Sequence, residues 1–251
     1  MVSLCENFQQ LEFLPADPYA ARITALFKTY GAGQKFAMFW VQECGGMPVA
    51  AISKVDGNLT LCTLENTDFE ELSAFIRAVG YSSLTADAEV MNALGFAPSK
   101  TSFTVRYGGG FEPKGAELIN DCDKKAVYSL LCECGFELGD YGSFLADVCA
   151  RLNKGTASMK ACEENGRLQA CAFALFEGSK SVLLGAVATS PESRGRGYAS
   201  ELVGSLANEK ADKQVYLFCR NDSLVDFYGK IGFETVGKWA VLNSEELKWR
   251  F

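Results

Sequence analysis

A chain of 251 residues with 48% hydrophobic content can bury a sizeable core, and its length permits one large domain or two small ones. A formal charge of -7 argues against the basic face that releases counterions from a phosphate backbone, although net charge leaves room for a local basic patch, so no nucleic-acid partner is expected. The absence of histidine excludes Ser-His-Asp and Cys-His nucleophile systems, histidine general bases and Cys2His2 zinc, leaving carboxylate, phenol, thiol, amine and backbone groups for chemistry, with no metal expected.

The start, MVSLCENFQQ, lacks a basic region followed by an apolar core, and the longest uncharged apolar stretch, Ala170 to Phe176, is too short to span a bilayer. A cytoplasmic protein without a membrane partner is expected. Its ten cysteines are scattered and include no CxxC pair, which reads as reduced, mostly buried thiols.

In chain order, Asp17 to Tyr30 is a helical region. A hairpin follows, turning at Asp56 to Asn58, where glycine gives the backbone freedom that a tight reversal needs. Then come a helix (DFEELSAFIRAVG), a strand, a short helix ending in Gly-Phe (NALGF) and a last strand (SKTSFTVRY). "YGGGFEP", Tyr107 to Pro113, is the joint, since three glycines in a row neither pack nor hold a helix. Beyond it, helical regions at Asp123 to Cys134 and Tyr141 to Asn153 precede a second hairpin turning at Glu177 to Lys180. The same order then recurs: helix (GYASELVGSLANEKA), strand (KQVYLFC), short helix ending in Gly-Phe (NDSLVDFYGKIGF) and last strand (VGKWAVL). The expected division is 1–110 and 111–251.

In the second repeat, Ser181 to Thr189 is a mostly apolar strand, and Ala199, Leu202, Val203 and Leu206 recur at helical spacing with Glu201, Glu209 and Lys210 on the other side. Between them lies PESRGRGYASELV, Pro191 to Val203. A helix start leaves N–H groups unpaired and carries a partial positive charge, and Gly195 and Gly197 let the backbone approach an anion. Converging amides with Arg194 or Arg196 can hold a pyrophosphate through charge-assisted bonds worth roughly 1.5 to 3 kcal/mol each. The spacing is not that of a P-loop, and GxGxxS departs from the dinucleotide fingerprint.

The stretch Arg194, Gly195, Arg196, Gly197, Tyr198, Ala199 resembles the acyl-CoA loop of the GNAT N-acetyltransferase superfamily, [QR]-x-x-G-x-[GA], with Pro191 ahead of it. The segment NDSLVDFYGKIGF resembles the same family in its asparagine (Asn221), a tyrosine seven residues on (Tyr228), Gly232 and Phe233. The likeness covers roughly Glu117 to Leu242 and is concentrated in these two segments. It implies a mixed α/β fold of two tandem lobes, each a mostly antiparallel twisted sheet flanked by helices. The implied activity is acetyl transfer from acetyl-CoA to a small-molecule or peptide amine.

In that reading Val187, Ala188 and Thr189 align the pantetheine through their backbone, with Val187 N–H as an oxyanion donor. Arg194 to Ser200 hold the diphosphate, Asn221 is a further cofactor residue, and Tyr228 protonates the leaving thiolate. A phenol of ordinary pKa near 10 stays protonated until a thiolate near 8.5 needs the proton. No base is assigned: QVYLFC has Tyr216 where some relatives place a glutamate, while Glu137, Asp140 and Glu177 are candidates that also read as surface charges. The rival reading is an acyl-CoA-binding sensor without turnover.

The first repeat has neither arginine nor glycine between LTLCTLEN and its helix, and Met91 aligns with Tyr228. It reads as a degenerate lobe that covers an apolar flank, shapes an acceptor pocket or binds a partner. Phe136, Tyr141 and Phe144 are aromatic candidates for lining that pocket, and the acidic balance favours approach of a cationic amine.

Overall fold

The computed structural model describes residues 1–98 and 100–244, so Ser99 at the head of the first repeat's last strand lies outside the described residues. The first repeat contains β1 (Val2–Leu4), α1 (Pro18–Tyr30), β2 (Ala37–Cys44), β3 (Met47–Val55), β4 (Asn58–Thr63), α2 (Phe69–Val79), β5 (Ser83–Asp87), α3 (Ala88–Ala93) and β6 (Thr101–Tyr107). The second contains α4 (Lys124–Glu133), α5 (Tyr141–Asn153), β7 (Ser158–Glu164), β8 (Arg167–Glu177), β9 (Ser181–Thr189), α6 (Tyr198–Glu209), β10 (Gln214–Cys219), α7 (Asp222–Gly229) and β11 (Phe233–Asn243). The recurring order read from the sequence is present. Three strands were not anticipated: β1, and β2 and β7, which extend the two hairpins into three-stranded meanders.

Local chemistry sets the helix starts. Asp17, Asp68, Asp87, Asp123, Asp140 and Asn221 each accept a backbone N–H from the first turn of the helix they precede, and Pro18 is placed where its missing N–H costs nothing. Such a cap is worth about 1 kcal/mol. Among the described residues, α6 alone of the α-helices lacks one: its N-cap is Gly197, at φ 87°.

Alternation along the strands buries both faces of the sheet. Phe39 and Val41 pack under α1 while Trp40 meets α2 and α3. In the second repeat Cys171 and Phe173 meet α4 and α5, and Ala170, Ala172 and Ala174 lie under α6 and α7.

Among the described residues eleven strands form one sheet, in the order β1-β2-β3-β4-β5-β11-β6-β10-β9-β8-β7. Only β4–β5 and β9–β10 are parallel pairs. The last strand of each repeat is laid against the other repeat: β11 pairs with β5 (Trp239 opposite Asp87, Asn243 opposite Ser83), and β6 pairs with β10 (Tyr216 opposite Arg106, Cys219 opposite Phe103). The exchanged strands pair with each other at the centre.

The joint differs from expectation in part, because Gly108 and Gly109 lie against Gly232 while Gly110 is exposed. Gly108 N–H donates to Gly232 O at 2.8 Å, and a Cβ on Gly232 (φ 93°) would lie 2.1 Å from Gly109 O. Phe111 seats on Gly204, and Asn208 Nδ2 donates to Phe111 O at 3.0 Å. The missing Cβ of Gly232 is what permits this close approach of two backbones.

Glu201 is also corrected: it is buried, and its carboxylate accepts Lys114 N–H at 2.9 and 3.0 Å. Helix α1 docks on the second repeat, with Ser181 Oγ donating to Asp17 O at 2.7 Å and Tyr216 Oη to Ala16 O at 2.7 Å. No helix among the described residues is long and apolar enough to cross a membrane.

Candidate active site

β9 and β10 are paired from Ser181–Gln214 to Leu184–Leu217, and there the ladder stops although β9 runs on to Thr189. At the parting β9 bulges against β8, its register shifting between Gly185 and Ala188, with Ala186 at φ 48°. A non-glycine residue in that region costs of order 1–3 kcal/mol, so the surrounding packing imposes it, and the bulge re-aims the backbone at Val187. The unpaired edge of β9 can receive an extended chain as an added strand.

A cleft of about 550 Å³ opens there, running from β9 to the start of α6. Among the described residues, no protein acceptor takes the N–H groups of Gly195 to Ser200, whereas Glu201 N–H already bonds Gly197 O at 3.1 Å. Gly195 and Gly197, at φ 78° and 87°, hold the loop in the left-handed region. Uncapped amides at a helix start form a site for an anion. Arg194 is the one charged residue lining this cleft among those described. These residues therefore fit a diphosphate on chemical grounds, independently of motif.

Of the residues singled out in the sequence, Val187, Ala188, Thr189, Arg194, Gly195, Gly197, Tyr198, Ala199, Ser200 and Tyr228 line this one cleft. Two do not. The Arg196 guanidinium is turned to Glu164, donating through both terminal nitrogens at 2.8 and 2.5 Å, and Tyr198 Oη bonds the same carboxylate. These bonds, Arg196's first, hold the Glu164 carboxyl below its ordinary value. Asn221 Oδ1 caps α7, accepting Leu224 N–H at 3.0 Å. Thr189 O is engaged as well, by Arg194 Nε and Cys134 Sγ, each at 3.4 Å.

A second cavity, about 510 Å³, meets the cleft at Tyr228, Val187, Leu224, Phe136 and Cys134. The Tyr228 ring is 5% exposed and packs edge-on against Phe227 and Phe233, with centroids at 5.0 and 5.9 Å. Its hydroxyl has no bond to another described residue. Burial, and then the Cys219 thiol, push its pKa well above that of an ordinary phenol, so the proton stays on Oη at neutral pH.

None of the candidate bases reaches this place. Glu137 is exposed; Asp140 caps α5; Glu177 pairs with Lys210 at 2.7 Å and accepts Ser158 Oγ at 2.5 Å. No carboxylate lines either cavity among the described residues. Phe136 lines both cavities, while Tyr141 and Phe144 pack on Tyr128 away from them. Sequence reasoning missed Cys134 at the junction, together with Arg22 of α1, Thr85 of β5 and Trp239 of β11, which bring the exchanged architecture into the second cavity.

Residues 124–233 match the family model described as "Acetyltransferase (GNAT) family". This segment belongs to the GNAT family. The GNAT fold extends over nearly the whole chain in solved structures. A tandem GNAT protein from the clavulanic acid biosynthesis pathway superposes with a TM-score of 0.59 at 14% identity, covering 96% of this chain and 97% of its own. A GNAT-family acetyltransferase from Colwellia psychrerythraea gives 0.56 at 11% identity, covering 96% and 98%. A GCN5-related N-acetyltransferase from Sphaerobacter thermophilus gives 0.56 at 13%, covering 96% and 94%. No curated protein matches the chain. At these identities the likeness to GNAT structures carries the fold, and the chemistry is argued from the cleft.

Proposed function

We propose that the protein is an acetyl-CoA-dependent N-acetyltransferase acting on a primary amine. The observation that carries this reading is the uncapped start of α6, set beside the parted end of β9 and facing the protonated hydroxyl of Tyr228 across one cleft. A helix start that lacks the side-chain cap its neighbours possess offers its amides to an outside anion, and a bare turn gains nothing from that arrangement.

Acetyl-CoA supplies the activated thioester; the rest is done by the chain itself. Gly195 to Ser200 and Arg194 bind the diphosphate. The free edge of Val187 and Ala188 orients the pantetheine, and Val187 N–H meets the charge developing on the carbonyl oxygen. Tyr228 Oη holds the proton that a departing thiolate takes. The repeats are proposed as tandem lobes divided near residue 110, with only the second holding cofactor; in the first, Met91, fully buried, replaces the phenol.

One observation favours the rival reading of a CoA sensor: neither cavity contains a carboxylate that could act as base. Two measurements separate the readings. CoA should raise the melting temperature, and free thiol should appear when acetyl-CoA is mixed with a panel of amino acids, peptides and polyamines. Stabilisation without thiol release would select the sensor, and no stabilisation at all would remove both.

A further inference from the structure

We infer that the acceptor is an amine that also carries a carboxylate on an apolar body, of the class of hydrophobic amino acids, and that Arg22 binds the carboxylate. The inference rests on the proposed acetyl transfer and assigns its second substrate. Three observations carry it.

First, Arg22 lines the second cavity without a carboxylate or hydrogen-bond partner among the described residues. Its Nε is sealed from solvent with no acceptor, and no described residue makes an ion pair or hydrogen bond with its guanidinium. A buried donor without an acceptor is costly, and a guanidinium is a planar fork matched to a carboxylate. Second, the local charges do not balance. Arg22 and Arg151 lie on the Phe176 ring, at 5.2 and 5.1 Å from its centroid. The nearby carboxylate, Asp147, is committed to Arg151 and to the Tyr30 hydroxyl. One positive charge is left facing the cavity, and Arg220 adds another to the lining. Burial first, and then the charge of Arg151, push the Arg22 pKa down to about 10, still cationic at neutral pH.

Third, Thr85 and Tyr228 aside, the remaining walls are mostly apolar, among them Leu175, Phe176, Leu183, Phe218 and Trp239, and Tyr228 is shared with the cofactor cleft. An acceptor held at Arg22 by its carboxylate therefore lies in the cavity that leads to the acid. A polyamine would bring more positive charge against two guanidiniums with no carboxylate to receive it. The cavity thus selects against the cationic amine suggested by the net charge of the chain.

The test uses the full chain with saturating acetyl-CoA and matched pairs: leucine with leucinamide, phenylalanine with phenylalaninamide, and spermidine. The free acids should show kcat/KM at least about 10-fold above their amides, from charge-assisted bonds the amides lack. Arg22→Gln should erase that gap by acting on the free acids alone. Should R22Q not fold, Arg22→Lys, which keeps the charge and loses the fork, should narrow the gap. Amides or spermidine used as well as the acids, or a gap surviving in the variant, would overturn the inference.

If no amine is acetylated, the proposed activity fails by itself. Calorimetry on CoA-saturated protein then decides the anion site, with leucine expected to bind at least about 10-fold tighter than leucinamide in the parent chain and equally in the variant. Equal binding in the parent chain, or no binding of leucine or phenylalanine, would reject it.

Discussion

Replacing Tyr228 with Phe separates catalysis from packing more cleanly here than such a change usually does. The ring is almost wholly buried against Phe227 and Phe233, so those contacts survive, while the hydroxyl bonds no described residue, so no protein hydrogen bond is lost. Removing a half-desolvated polar group without a partner should leave stability within about 1 kcal/mol, or raise it slightly. Loss of a positioned acid costs about 10² to 10⁴ in turnover, equivalent to about 3 to 5 kcal/mol of barrier. Three readouts are needed: kcat for thiol release, Kd for CoA and melting temperature. The expected pattern is a collapse of the first with the other two nearly unchanged. The raised pKa adds a signature, because wild-type kcat should show no loss to phenol ionisation near pH 10, where an ordinary tyrosine titrates. A variant with kcat within about threefold of wild type and a lowered melting temperature would assign Tyr228 to packing and defeat the argument.

Other expected outcomes can be checked with the same preparation. Arg194→Ala should weaken CoA binding by about 10-fold, whereas Arg196→Ala, whose partner is Glu164, should change it by less than about threefold; calorimetry giving the reverse order would misplace the anion site. Gly232→Ala should destabilise by about 2 to 4 kcal/mol in urea unfolding, since its Cβ would meet Gly109 O at 2.1 Å with φ at 93°, and a smaller loss would mean that the joint yields freely. Burial raises the thiols of Cys5 and Cys162 to about 11 and those of Cys171 and Cys219 to about 12, against an ordinary 9.0. The folded chain then keeps protons that the unfolded chain releases, so stability present below pH 9 is lost as pH rises through 9 to 12, by up to about 1.4 kcal/mol per unit for each thiol. A urea midpoint that does not move between pH 8 and pH 10.5 would contradict the burial of these residues.

The sequence carried the features that depend on near neighbours. The helical regions of α1, α2, α4 and α5 were read close to where they lie, glycine marked the hairpin turns, and β9 lies at Ser181–Thr189 as read. The uncapped start of α6 was legible because the glycines that form it lie within a few residues of each other. Contacts set by distant chain were not. Glu164 lies 32 residues before Arg196, so nothing local warned that it would take that guanidinium. Arg22 belongs to no motif and becomes informative only when α1 docks on β8 and β9. Nor could strand pattern reveal the exchange: β6 and β11 both follow a Gly-Phe helix end, and alternation tells which face a strand buries but not which neighbour it takes.

The crossed placement of β6 and β11 imposes an order on biosynthesis. When the first repeat leaves the ribosome, β5 has an open edge, and the strand that covers it, residues 233–243, is made only after the helices and sheet strands of the second repeat. The nascent chain must therefore carry that exposed ladder until the second repeat has been made, so the cell's chaperones, rather than the sheet itself, would guard it until β11 arrives.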